Sequence, residues 1–194
     1  MRGGLEIARV AFIRIDVHLE DDFRVIADFD AVEDDAARPV DPVLLAWLSK
    51  ARTLHHLADL SEDEGSLDKT VATLQELVGG VLPAGPPPEA AEVMADTYAR
   101  LAELRARRGE YERADGDVES GLRFAPTPTY FRGHLLEVRG LVFEKQSADL
   151  EKAGRAADAK RAREKASAAS LEAVRIQDEV IKSTLGDAGP ATRD

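Results

Sequence analysis

Apolar residues recur along this chain at intervals of three and four, and that spacing predicts helix almost everywhere. Leu5, Ala8, Phe12, Ile15, Leu19, Phe23 and Ile26 form an unbroken ladder over residues 5–26. Inside it Ile13, Ile15, Val17 and Leu19 alternate with Arg14, Asp16 and His18 in a strand-like way. A lone strand has no partner elsewhere in the chain, so the longer helical pattern prevails. A second helix starts behind Pro42 and carries Leu44, Leu45, Trp47, Leu48, Ala51 and Leu54. Residues 61–65 (SEDEG) read as a polar turn. A helix over 67–81 then places Val71, Leu74, Leu77 and Val78 on one face, and Gly79-Gly80 weakens its end.

Pro88 suits a first helical turn, where its missing N–H costs nothing. Met94, Tyr98, Leu101 and Ala102 make the buried stripe of that helix, and Gly109 supplies a left-handed cap. Tyr111, Ala114, Val118 and Leu122 mark a partner helix closed by Pro126. Thr127-Pro128 is expected to cap the next helix, in which Phe131, Leu135, Val138 and Val142 are spaced for burial. The last helical region, 147–185, is different. Between Leu150 and Leu171 it holds only Ala, Ser, Gly and charge, so it is expected to be helical while burying little. Ala173, Val174, Ile176, Val180 and Ile181 then restore a packing face, and residues 186–194 are expected to be disordered.

Prolines punctuate the series at Pro39 and Pro42, at 83–88, and at Pro126 and Pro128, about 43 residues apart, near the period of helical-repeat arrays. Length adds a bound: 194 residues suffice for one domain with a sizeable core, expected over 1–185. Apolar residues are 44%, charged residues 32% and aromatics only 5%, so the core must be mostly aliphatic and alanine. Cysteine is absent, which removes disulfides, thiol catalysis and Cys-ligated metals. Arg9 and Arg14 interrupt the only N-terminal apolar stretch before a signal sequence forms, and no run is long enough to span a membrane; a cytoplasmic location is expected. Asparagine is also absent, which with abundant Ala, Arg and Gly points to a GC-rich bacterial genome. The net charge of −11 repels nucleic acid, which is not expected as a partner, and the six basic residues over 151–165 read as a solvated helix face.

One stretch has motif-level content. Tyr98, Leu101-Ala102, Ala114, Val118, Gly121 and Pro126, with Gly109-Glu110-Tyr111 as the turn between two helices, resemble a tetratricopeptide repeat over residues 95–128. Ala114 and Gly121 are small, as a close helix crossing demands. Weaker echoes occur at Leu136, Gly140 and Phe143, and at Ala27, Ala31 and Pro39. The resemblance implies an all-α, right-handed solenoid of three to four divergent helical hairpins, here extended by the Ala-rich C-terminal helix. In that family the first helix of each hairpin lines a concave groove. The corresponding positions are Asp96, Ala99, Arg100, Glu103 and Arg107, then His134, Glu137 and Leu141, then Leu48, Arg52 and His55.

Candidate chemistry does not converge. His55 and His56 are adjacent, about 100° apart on a helix, so they cannot share a metal; they read as a polar helix end. The acidic run over 28–35 lacks the glycine and the bidentate glutamate of a calcium loop, with Glu33 and Pro39 in those places. Glu110, Glu112, Asp115 and Asp117 are expected on an exposed helix face. No catalytic residue, metal or cofactor is assigned. The expected function is a non-enzymatic adaptor that holds another protein or peptide; Asp96 and the absence of asparagine disfavour a clamp for peptide carboxylates. The alternative is a self-assembly module that forms homo-oligomers through its N-terminal or C-terminal helix.

Overall fold

Residues 41–186 are described by the structure, a computed structural model. The apolar ladder over 5–26, the acidic run over 28–35 and the chain beyond residue 186 lie outside the described residues. Among those described there are six α-helices and no strand: α1 (Pro42–Asp63), α2 (Leu67–Val78), α3 (Pro88–Arg107), α4 (Tyr111–Leu122), α5 (Tyr130–Lys152) and α6 (Ala156–Gly186).

Helix ends follow local chemistry. Asp41 caps α1, its carboxylate accepting the Val43 N–H at 2.9 Å. Thr129 caps α5, its hydroxyl oxygen accepting the Arg132 N–H at 3.2 Å. The cap thus sits two residues beyond the expected Thr127. Pro88 opens α3 as expected. The polar turn after α1 is shorter than its composition suggests, because Ser61 is buried within the helix and donates to the Leu57 carbonyl at 2.8 Å. For α2, the boundary is Gly79, not Val81.

α1, α3 and α5 all leave through the same turn. Gly65, Gly109 and Gly154 have φ of 75°, 76° and 73°. The residue after each donates its N–H to the carbonyl five positions back: Ser66 to Ser61 at 2.8 Å, and Glu110 to Arg105 and Arg155 to Leu150, both at 2.9 Å. This closure satisfies the last free carbonyls of a helix, and glycine enters it without strain. The three glycines recur at intervals of 44 and 45 residues, so α1–α2, α3–α4 and α5–α6 are successive hairpins.

The hairpins pack in sequence. Ala58, Val71 and Leu74 of the first meet Leu101 and Leu104 of the second. Ala95, Ala99, Ala102, Ala114 and Val118 of the second meet Leu135, Val138 and Val142 of the third. At the tightest point, a Cβ added to Gly121 would lie 2.6 Å from Leu135 Cδ2 and 3.0 Å from Tyr98 Cβ. The expected close crossing at this glycine is therefore a contact with both neighbouring helices.

The C-terminal region departs from expectation twice. Gly154 breaks it, so α5 ends at Lys152 and α6 begins at Ala156. Moreover, the Ala-rich stretch is packed. Ala159, Ala162, Ala166, Ala169, Ala173 and Ile176 are all buried, a stripe with alternating steps of three and four. It faces Leu136, Gly140, Phe143 and Ser147 of α5, which are buried too. A Cβ on Gly140 would fall 2.6 Å from Ser170 Oγ and 3.5 Å from the Ala166 carbonyl oxygen, while Ser147 Oγ donates to the Ala159 carbonyl at 2.9 Å. Small side chains let the two backbones approach, so alanine buries area that its own size does not advertise.

Candidate functional site

Local amphipathicity places one wall of the site on each of three helices. α1 contributes Leu48, Ala51, Arg52 and His55; α3 contributes Glu89, Glu92, Val93 and Asp96; α5 contributes Phe131. Together they enclose an open trough of about 550 Å³. Its floor is apolar, with Leu48, Val93 and Phe131 each half-buried over buried Ala51. Its rim is charged: Arg52 faces Glu89, Glu92 and Asp96 from the opposite wall, and all four are exposed. On α3 the acidic positions follow the helical period, so Glu89, Glu92 and Asp96 stand on successive turns of one face.

His55 lies mid-helix, not at a helix end. Its Nε2 is 2.9 Å from Thr97 Oγ1, and Thr97 Oγ1 in turn donates to the Val93 carbonyl at 2.6 Å. The hydroxyl proton is thereby used, so the Nε2–H donates to Thr97 and neutral His55 keeps Nδ1 as an acceptor. Burial lowers the His55 pKa; Asp96 and Asp59 oppose that shift while Arg100 adds to it.

Beyond His55 the charges neutralise one another. Arg100 bridges to Asp59 at 2.6 Å and Glu62 at 3.1 Å, and Arg107 reaches Glu62 as well, which ties α3 to α1. The Arg107 and Arg100 hydrogen bonds hold the Glu62 carboxyl below its usual range. Glu103 keeps solvent access, yet protein crowds its carboxyl and raises its pKa; His134 and Arg100 pull it down, Asp96 and Glu62 push it up. The His134 ring stacks on Tyr130 with centroids 6.1 Å apart, and its Nδ1 lies 4.0 Å from Glu137.

Of the groove positions read from the sequence, Leu48, Arg52, His55 and Asp96 line the trough itself. Beside it, Asp96, Arg100 and His134 all act on the Glu103 carboxyl, Glu137 joins only through His134, and Arg107 is committed to Glu62. Ala99 does not belong: it is fully buried in the core. Glu89, Glu92, Val93 and Phe131 were not anticipated, although the first two repeat the Asp96 face one and two turns earlier. The expected exposed acidic face of α4 is also only partly so. Asp117 is buried beside Arg105 at 3.1 Å, and desolvation pushes its pKa up to about 6 against the pull of that guanidinium. Asp115 meets Arg139 at 2.8 Å.

Among the described residues, no cluster of His, Asp or Glu is arranged to hold a metal ion, and no helix is long and apolar enough to cross a membrane. Comparison with protein-family models, curated proteins and solved structures finds no match to this chain.

Proposed function

We propose that this chain is a non-enzymatic binding module that holds a segment of another protein in the trough between α1, α3 and α5. The observation that carries this reading is the makeup of the trough. Its walls come from the first helices of three consecutive hairpins, its floor is accessible aliphatic and aromatic surface, and its rim charges have no partner within the described residues. An apolar concavity with a few convergent polar groups is the usual form of a binding site. The tetratricopeptide-like pattern over 95–128 supports the same reading, with α1–α6 taken as a short right-handed array of divergent hairpins. Photo-crosslinking tests it. A benzoyl-phenylalanine at position 93, inside the trough, is expected to trap a discrete protein in cells of the source organism, whereas one at exposed position 112 on α4 traps none. Identical adducts from both positions would refute the proposal.

A second reading, self-association, is favoured by α6. Leu171, Val174, Ile181 and Leu185 are 72%, 62%, 55% and 67% exposed and fall at heptad-like intervals along one stripe. It predicts a concentration-dependent mass in light scattering that Val174→Lys with Ile181→Lys abolishes. A single 21.1 kDa species at every concentration rules it out.

A further inference from the structure

We propose that the trough selects a cationic amphipathic segment: a stretch of a partner protein in which a large apolar side chain is flanked by lysine or arginine. The inference rests on the trough being a binding site and adds the chemistry of its occupant.

The first argument is an imbalance of charge along α3. Its C-terminal half is basic, and there every arginine is spent: Arg100 on Asp59 and Glu62, Arg105 on Asp117 and Arg107 on Glu62; Arg108, just past the helix end, is spent on Asp68 and Glu110. Its N-terminal half carries Glu89, Glu92 and Asp96, and none of the three has a cation within bridging distance among the described residues. Glu89 lies in the first turn, where the helix dipole favours a carboxylate. Glu92 and Asp96 lie deeper, where that benefit has faded, so the helix itself gives no reason for them.

The second argument is hydrogen-bonding character. The donor of His55 is consumed by Thr97, so the neutral ring offers the trough only an acceptor. Three carboxylates and one imidazole acceptor face a single donor, Arg52. A surface of acceptors asks for donors, and lysine and arginine bring donors with compensating charge. The aliphatic and aromatic floor meanwhile asks for an apolar anchor between them. Arg52, the one cation of the α1 wall, is left to meet a backbone carbonyl or an acidic residue of the occupant and so to fix its direction. An anionic segment would meet the acidic rim on a chain already at −11.

Fluorescence anisotropy with the full chain tests the proposal. The probe is a labelled Gly-Ser peptide carrying a central Lys-Leu-Phe-Arg, compared with otherwise identical peptides carrying Glu-Leu-Phe-Glu or Lys-Ser-Ser-Arg. The first peptide is expected to bind roughly tenfold or more tighter than either control, as one well-placed charge pair and one buried anchor imply. Glu92→Gln with Asp96→Asn should weaken it about five- to tenfold, while Glu112→Gln with Glu144→Gln, which remove the same charge from other exposed helix faces, should leave it unchanged. Equal binding of the Ser-Ser peptide, or equal losses in the two double variants, means non-specific attraction and overturns the proposal. Tighter binding of the acidic peptide, displaced by Val93→Arg, overturns the cationic class but leaves the trough as a binding site. If neither Val93→Arg nor the rim variants alter any peptide, the trough reading fails with it.

Discussion

Two glycines five residues apart on α4 allow the packing around the central hairpin to be measured by subtraction. Gly116 is exposed, and a methyl added there meets nothing within 4 Å. Gly121 is buried, and the same methyl would sit 2.6 Å and 3.2 Å from the two Leu135 methyls and 3.0 Å from Tyr98 Cβ. Gly116→Ala should stabilise by about 0.5–1 kcal/mol, because alanine loses less backbone entropy on entering a helix. Gly121→Ala gains part of the same term but overfills a closed space. Leu135 is fully buried and cannot swing into solvent, and Tyr98 Cβ is fixed to the α3 backbone. Overpacking of this kind costs about 1–3 kcal/mol. The two variants should therefore differ by about 1–3 kcal/mol, or about 2–12 °C in Tm for a chain of this size. Urea denaturation followed by circular dichroism at 222 nm reads the difference, and unfolded-state effects largely cancel between the two substitutions. Leu135→Val should recover part of the Gly121→Ala loss in a double-mutant cycle. If Gly121→Ala were as stabilising as Gly116→Ala, α4 could not be pressed between α3 and α5.

Three other outcomes are expected. Ala166→Leu should destabilise by about 1–3 kcal/mol in the same assay, since it inserts three carbons where the Ala166 carbonyl already lies 3.5 Å from a Cβ position on Gly140; no loss would mean that α5 and α6 are separable. His55 has a lowered pKa in the folded state, so its contribution is present above about pH 6.5 and is lost as pH falls through and below that value. His55→Gln should flatten that part of the urea-midpoint profile, and an unchanged slope would contradict its burial. Asp117 has the opposite sign: with a folded pKa near 6, above its unfolded value, the fold gains stability as pH falls from about 6 towards 4. Asp117→Asn should remove that gain whatever it does to overall stability, and the carboxyl chemical shift gives the pKa directly.

The helices with large apolar residues were legible in the sequence because burial there depends on side-chain size, which composition records. Pro88 and Gly109 fixed both ends of α3, and Gly121 was recognisable as a contact point from its small size within the repeat-like pattern over 95–128. The stripe from Ala159 to Ala173 was not, since a methyl group is equally at home in solvent and in a seam, and only the partner surface of Gly140 and Ser147 decides between them. Its steps of three and four were nonetheless visible. So was the recurrence of Gly65, Gly109 and Gly154, which marks the hairpins more sharply than the prolines do. The trough was half legible: helical period groups Asp96 with Glu92 and Glu89, but the meeting of α1, α3 and α5 depends on long-range packing that no local pattern contains. The ion pairs of Arg100 and Arg107 were hidden for the same reason.

The joint between α5 and α6 has a consequence for how this chain tolerates substitution. Its sequence has the monotony usually associated with permissive, low-complexity segments, and a survey of composition would rank it as freely variable. The buried alanines lie against α5, so larger residues are disfavoured at them, least at Ala169 on the edge of a pocket shared with Leu136 and Phe143, while the intervening charged positions stay open. A saturation mutagenesis profile across residues 156–176 should therefore oscillate sharply, with intolerance recurring every three or four positions along the plainest part of the polypeptide.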